Sequence, residues 1–370
     1  MTQPIGSFTS RVRLLLLLGL TCCLMDPSHL RAADPAPGSL QIRWVDVEGG
    51  AATLIITPAG ESVLVDTGNP GGRDPGRIHR AAREAGLTRI DHLITTHFHM
   101  DHFGGAAELS ALIPIGTVWD NGLPDTNPDN NPSDTRWPLL SKPYREMKVE
   151  ARHVIQPGQT LPLKSREGAP PFAIRCVAAR QSFIEQQGDA PGNPQCDQHA
   201  AKPKDTSDNA NSIAIVVELG AFRFFDGGDM TWNTEAALVC PINRVGEVDV
   251  YQVNHHGLDQ SNNPVLVHSL APTVSVMNNG TRKGTGAETL AALRSSPGLK
   301  AMFQVHKNLR DDTENNTSDE RIANLAADCE GHGIQLVVTP DGGHYTVSIP
   351  SSGREEMLAT RADKWKPTWR

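Results

Sequence analysis

The chain has 370 residues, 38% of them hydrophobic and 21% charged, a balance that fits a globular protein with a full core and argues against disorder. Its net charge is −8, and no block of Lys and Arg interleaved with aromatics occurs. A nucleic-acid-binding surface is therefore not advertised, and a polyanionic substrate would have to be held by metal ions rather than by a basic face.

In chain order, Arg11 and Arg13 precede the apolar run 14–25, and the small residues Ala32 and Ala33 follow. Basic, apolar and small segments in that order predict a signal peptide over 1–33 and a periplasmic or secreted mature chain. The apolar run falls short of the ~20 residues that span a bilayer, so no transmembrane helix is expected in the mature chain. Lipoprotein anchoring through Cys22 or Cys23 is disfavoured, because Thr21 and Cys22 fit the small position before such a cysteine poorly. Removing 1–33 takes away Arg11, Arg13, Arg31 and Asp26, a net +2, and leaves about −10 on the remainder. Four cysteines stay: Cys176, Cys196, Cys240 and Cys329. In an exported chain they favour one or two disulfides of open pairing, and the lack of any CxxC argues against a cysteine zinc site.

After the linker "DPAPGS", the stretch "LQIRWVDVEGGAATLIITPAGESVLVDTG" alternates apolar and polar residues between glycines, which predicts strands and a hairpin. "DPGRIHRAAREAG" predicts a helix starting at Asp74 and Pro75 and stopping at Gly86. "IDHLITT" reads as a short buried strand, followed by "HFHMDHFGG" and a helix around "AAELSALI". Segments of about 121–171 and 186–211 are rich in Pro, Asp, Asn and Gly and read as long loop insertions. The second half predicts strands at "SIAIVVEL", "FRFFD", "VDVYQVN", "TVSVMN", "AMFQVH" and "IQLVVTP". Helices are expected near "NTEAALV", "NPVLVHSL", "AETLAALRSS" and "SDERIANLA". This alternation implies an α/β layered fold.

His97, His99, Asp101 and His102 follow the strand "IDHLITT", at a carboxyl end, where α/β folds place ligands. In extended chain His97 and His99 share a face, while Asp101 and His102 lie in the turn beyond, giving two ligand pairs. Imidazole and carboxylate together suit Zn2+, with Mn2+ or Fe2+ as alternatives. Further candidates end other strands: Asp66 after "SVLV", Asp229 after "FRFFDGG", and His255 and His256 after "VDVYQVN". One Asp before Gly is usually a turn residue, but these four positions together with the histidine cluster, all at strand ends, form a constellation.

The HxHxDH string with these partners resembles the metallo-β-lactamase-fold hydrolase superfamily. "VDVEGGAATLIITPAGESVLVDTG", "NANSIAIVVELGAFRFFDGGD", "VYQVNHHG" and "SVMNNGTRKGTGAETLAAL" are most similar to the soluble domain of bacterial competence (ComEC-type) DNA-uptake proteins and their secreted relatives. The likeness covers about residues 40–345. It implies a single-domain, four-layer αββα sandwich with mixed sheets over 34–370, its core at about 40–350. It further implies that His97 and His99 hold one cation, Asp101 and His102 another, and that Asp229 bridges them. The remaining ligand comes from the histidine pair. His255 is favoured because the strand delivers it first, leaving His256 in the cleft; the reverse assignment stays open. Asp66 would orient a histidine. Two departures stand out. The loop "KPKDTSDNANS" lacks a third histidine for the first cation, with His199 read as a solvated loop residue, and "RKGTG" replaces the Gly-His-Pro of the competence-type domains.

The function expected on this basis is exported, metal-dependent hydrolysis of a small-molecule phosphodiester or related ester, in which two metal ions activate water. Asp101 would handle the proton, and His256 or Asn279 would meet the anionic group. Lys283, Lys307 and His306 are further anion-contact candidates, although exposed lysines are more often merely solvated. Lactone or β-lactam ring opening is the alternative, disfavoured by the scarcity of large apolar residues in the two long loops. A degenerate metal fold acting as a binding module is the third reading.

Overall fold

The computed structural model describes residues 1–3, 6, 35–129, 131, 133–188 and 190–369. Contacts separate Met1–Asp34 from Pro35–Arg370, and the architecture below is that of the second unit. Apart from residues 1–3 and 6, the expected signal peptide lies outside the described residues.

The strands in chain order are β1 (Leu40–Trp44), β2 (Thr53–Ile56), β3 (Ser62–Val65), β4 (Ile90–Ile94), β5 (Ile115–Asp120), β6 (Ala151–Val154), β7 (Phe172–Ala179), β8 (Ser182–Phe183), β9 (Ala214–Leu219), β10 (Phe222–Asp226), β11 (Val250–Gln252), β12 (Val274–Met277), β13 (Ala301–His306), β14 (Ile322–Asn324), β15 (Ile334–Val338), β16 (His344–Ile349) and β17 (Arg354–Ala359). The helices are α1 (Arg73–Glu84), α2 (Met100–Phe103), α3 (Ala106–Leu112), α4 (Trp137–Glu146), α5 (Trp232–Val239), α6 (Pro264–Leu270) and α7 (Ala287–Ser295). One mixed sheet runs β17-β16-β15-β1-β2-β3-β4-β5-β6 and the other β14-β13-β12-β11-β10-β9-β7-β8.

The layering follows from which residues each strand buries. Ile42, Trp44, Val63 and Leu336 of the first sheet meet Ile215, Val217, Phe224 and Phe303 of the second in one apolar layer between the sheets. On the outer face of the first sheet, Leu54, Leu64 and Leu93 pack under Ile78 of α1, Leu109 of α3 and Tyr144 of α4. On the outer face of the second, Val216, Phe225 and Tyr251 pack under Leu238 of α5, Leu266 of α6 and Leu293 of α7. Strands buried on both faces read as continuous apolar runs, as "TLII" and "SVLV" do. The result is the αββα sandwich.

Several local expectations are corrected. "SDERIANLA" forms a single 3-10 turn, Asp319–Arg321, and then β14, because Ile322 pairs in parallel with Gln304 of β13 and tertiary pairing overrides the helical pattern. The stretch 121–171 is no plain loop: it holds α4 and β6. β7, β16 and β17 extend the sheets beyond the strands expected from the sequence. Cys196 and Cys240 form the disulfide, with Cys176 buried and free and Cys329 free and partly exposed.

Strand direction positions the site. β3, β4, β5 and β6 are mutually parallel, as are β10 through β14, so their carboxyl ends fall on a common side within each sheet. Asp66 follows β3, His97 to His102 follow β4, Asp229 follows β10, and His255 and His256 follow β11.

Candidate metal centre

Asp229 reaches its place through a tight turn. Gly228 has φ +56, and a Cβ there would come within 2.9 Å of the Thr96 side chain, so the approach of the turn to the first histidine loop requires glycine. Asp229 Oδ2 then lies 3.2 Å from His102 Nε2, 3.2 Å from His256 Nε2, 3.5 Å from His255 Nε2 and 4.0 Å from His97 Nε2.

The histidine pair adopts a conformation rare for residues with side chains. His255 and His256 have φ 52 and 55, and Gly257 continues at 84. Two such residues cost on the order of 1–3 kcal/mol each and persist only where their surroundings determine them. Those surroundings are visible: Glu235 of α5, fully buried, accepts hydrogen bonds from Asn254 Nδ2 at 2.7 Å, Asn262 N at 2.8 Å and Asn263 N at 2.7 Å. Asn254 immediately precedes the pair, so Glu235 clamps the turn from beneath.

This turn delivers His256, rather than the expected His255, to the convergent group. His256 Nε2 stands 3.2 Å from His102 Nε2 and 3.4 Å from Asp101 Oδ2, and His102 Nε2 is 3.7 Å from Asp101 Oδ2. Donor atoms of Asp101, His102, Asp229 and His256 all lie within 4.8 Å of one another. A tetrahedral cation with bonds of ~2.0–2.1 Å sets its ligands ~3.4 Å apart, and the five measured separations, 3.2 to 3.7 Å, bracket that value. The outer nitrogens complete the fit. His102 Nδ1 donates to Asp66 Oδ2 at 2.7 Å, and His256 Nδ1 faces the Asn278 carbonyl at 3.3 Å, which leaves both Nε2 lone pairs directed inward. The residues present therefore suit a divalent cation.

Charge tells the same story. Burial opposes ionisation of Asp229, but His102, His256 and His255 hold it well below the usual carboxylate range. Asp101 is likewise held well below that range, against burial, by His102, His256 and Lys283. Burial works against a charged His102, yet Asp229, Asp101 and Asp66 hold its imidazole well above the ordinary value. Positive charge is thus wanted at this point, and a bound cation supplies it in place of the proton.

The other expected ligands border this group. His97 is fully buried, burial pushes its pKa well down, and its Nε2 has no hydrogen-bond partner. His99 packs edge-on against His97, ring centroids 4.7 Å apart, and its Nε2 lies 2.8 Å from Asp129 Oδ1, a contact that raises its pKa against burial. The Asp129 contact occupies only Nε2, so Nδ1 of His99 stays available beside the unpartnered Nε2 of His97, and a second cation there would need no pair broken. His255 lines a cavity of about 500 Å³ with Trp232, Leu258, Pro203, Asn209 and Lys202, and burial takes its pKa down to about 4.

Asn279 is not free to meet an anion, because its Nδ2 donates to the His306 carbonyl at 2.7 Å and its Oδ1 accepts from His306 N. His306 itself is buried against Asp46, Nε2 to Oδ1 2.7 Å, and Lys307 pairs with Asp319. Lys283, read from sequence as a solvated lysine, instead contacts the Asp101 carboxylate. His199 stays away and accepts from Asn263 Nδ2 at 3.1 Å. Asp129 and Glu235 were missed by sequence reasoning. Asp129 sits in a run of Pro, Asp and Asn that carries no signal, whereas Glu235 shares a helix face with Leu238 and Val239, and a carboxylate on an apolar face was legible there. A second group, Asp46, His306 and Cys329, also gathers, but its 2.7 Å His–Asp contact is a hydrogen bond, shorter than a ligand edge, and Arg77 already pairs with Asp46 at 3.0 Å.

Residues 45–154 match the family described as Metallo-beta-lactamase superfamily. The chain is 35% identical over 103 residues to the UPF0173 metal-dependent hydrolase of Cupriavidus necator, covering 26% of this chain and 33% of that protein. It is 32% identical over 155 residues to the UPF0173 metal-dependent hydrolase of a Polaromonas species, covering 38% and 54%. It thus spans about a third to a half of the length of these relatives. Among solved structures, a subclass B3 metallo-beta-lactamase from a soil metagenome library overlaps at a TM-score of 0.36 with 15% identity, over 57% of this chain and 75% of that one. CmlA, a diiron beta-hydroxylase from Streptomyces venezuelae, overlaps at 0.36 with 19% identity, over 66% and 45%. Residues 45–154, which supply Asp66, Asp101 and His102 to the centre, are thus the part of the chain that is similar to the Metallo-beta-lactamase superfamily.

Proposed function

We propose that the chain is a zinc-dependent hydrolase of a small phosphodiester or related ester. The observation that carries this reading is the near-tetrahedral placement of His102, His256, Asp229 and Asp101 beside the cavity that His255 lines. A divalent ion held there supplies Lewis acidity toward a phosphoryl or carbonyl oxygen and lowers the pKa of water to ~7. Around it, Asp66 fixes the tautomer of His102 and Asp229 anchors the centre. Asp101, the most exposed of the four donors, is the group placed to take a proton from an incoming water. His255, neutral at pH 7, meets the substrate from the cavity side together with Asn209.

Lactone or β-lactam opening is the second reading, and one observation favours it: Trp232 and Leu258, which lie outside the two long loops, give the cavity an apolar wall. We also propose export after cleavage near Ala33, on the order of basic, apolar and small segments over 1–33, and kinship with competence-type domains, on the HHG turn. Among the described residues no helix is long and apolar enough to cross a membrane.

The test is a panel. Zinc-loaded, manganese-loaded and metal-free protein is assayed on bis-p-nitrophenyl phosphate, p-nitrophenyl phosphorylcholine, single-stranded DNA, a lactone and nitrocefin. Turnover of a phosphodiester by the loaded protein, lost with a chelator, is expected. Turnover of the lactone or nitrocefin alone selects the second reading, and no turnover of any substrate overturns both.

A further inference from the structure

Four protein donors close the shell of a tetrahedral cation, whereas catalytic centres keep one position open. A substrate oxygen would enter such a set either as a fifth ligand or by displacing one donor, and the four donors differ in how readily they could yield. Three are locked in place. His102 and His256 are fully buried with their outer nitrogens engaged by Asp66 and Asn278, and Asp229 is buried at the end of the Gly227–Gly228 turn. Asp101 differs: its side chain keeps 21% exposure in the first turn of α2, and its Oδ2 carries the ammonium of Lys283.

Lys283 is brought there by two close backbone approaches. A Cβ on Gly284 would fall 1.9 Å from the His256 carbonyl oxygen, so the loop after β12 lies directly on the histidine turn only because residue 284 is glycine. On the other side, a Cβ on Gly49 would stand 3.3 Å from Lys283 Cβ, and one on Gly50 would stand 2.5 Å from the Asp101 carbonyl. The loop holding Lys283 and the turn holding Asp101 are thus pressed together by the fold. Among the described residues the ammonium meets no carboxylate other than Asp101.

We propose that Lys283 is a positioning residue that makes Asp101 the exchangeable donor of the centre. Ammonium and divalent cation compete for the same oxygen, Oδ2. With Asp101 on Lys283, His102, His256 and Asp229 would be the donors left to hold an ion and one position would be free for a substrate oxygen; with Asp101 turned inward, it would fill that position. The released carboxylate is never left bare, because its charge stays paired. An ordinary half-exposed ion pair would contribute little, but this one uses an oxygen that also lies 3.4 Å from His256 Nε2, within the ligand tetrahedron. The proposal rests on the metal reading of the site and deepens it.

The experiment uses the folded chain with Co2+ as the probe, comparing wild type, Lys283→Met, which keeps length without charge, and Lys283→Arg. Affinity is read by competition with a chelator, and coordination by the visible spectrum, which is severalfold more intense for four-coordinate Co2+ than for a centre that has added water. Lys283→Met is expected to bind Co2+ about tenfold tighter, with the intense spectrum of a closed shell that inorganic phosphate fails to change. Wild type and Lys283→Arg are expected to bind more weakly and to change spectrum on adding phosphate. Equal affinity and identical spectra in folded wild type and Lys283→Met would overturn the proposal while leaving the centre intact. A wild type that takes up no Co2+ overturns the metal reading itself, and this proposal with it.

Discussion

Asp66 Oδ2 accepts the Nδ1–H of His102 at 2.7 Å while the same carboxylate accepts Thr96 N at 2.8 Å and Thr96 Oγ1 at 2.7 Å. One residue from the end of β3 therefore joins the start of the histidine loop to its last histidine and sets that imidazole's tautomer. Carboxylates in this position raise the basicity of the ligand they hold, and their loss costs roughly 10–100-fold in metal affinity. Asp66→Asn is expected to weaken zinc binding by that factor with folding retained, as measured by chelator competition and circular dichroism. An unchanged affinity would reduce Asp66 to a turn residue.

Glu235 sets a pH dependence. Burial pushes its carboxyl up to about 7, against the three N–H donors that favour its charged form. An acid whose folded pKa is raised binds more protons folded than unfolded between its unfolded value, ~4.5, and that pH. Its contribution is thus fully present below ~4.5 and is lost as pH rises through about 7, by up to roughly 3 kcal/mol. Urea unfolding of wild type and Glu235→Gln at pH 5, 6 and 7 should show wild type losing stability relative to the variant across this window. Parallel curves would refute the assignment. Glu235→Ala, which strands three buried donors, should cost about 3 kcal/mol or more at any pH.

The two carboxylates also mark what the sequence made legible. Asp66, Asp101, His102 and Asp229 stand at strand ends in compact motifs, because strand, turn and ligand are contiguous there and periodicity locates the strand. The choice between His255 and His256 was not legible. It depends on two successive positive φ values, imposed by Glu235 through Asn254 and Asn262, residues well separated in sequence from the clamp. The partner of His99 was not legible for a similar reason: Asp129 comes from a loop whose composition encodes no geometry. Strand and helix alternation gave a layered α/β fold and the family resemblance its αββα order, while β14 and the α4–β6 segment needed tertiary pairing that local propensity does not carry.

The Cys196–Cys240 bond ties the 3-10 turn Pro194–Gln198 to the end of α5, the helix that bears Glu235, across a sequence separation of 44. Closing a loop of that size removes denatured-state entropy worth up to about 4 kcal/mol. Cys240→Ser is expected to lower the urea midpoint by an amount equivalent to about 2–4 kcal/mol, and a reducing agent should bring wild type to the same value. A variant as stable as wild type would show that the bridge adds nothing.

The central claim is that one cation is held by His102, His256, Asp229 and Asp101, with His255 facing the substrate cavity. Zinc content of folded His256→Ala and His255→Ala, measured by elemental analysis beside wild type, tests it most directly. The account predicts about one equivalent in wild type and in His255→Ala, and a content near zero in His256→Ala. Full zinc in His256→Ala with loss from His255→Ala would contradict it.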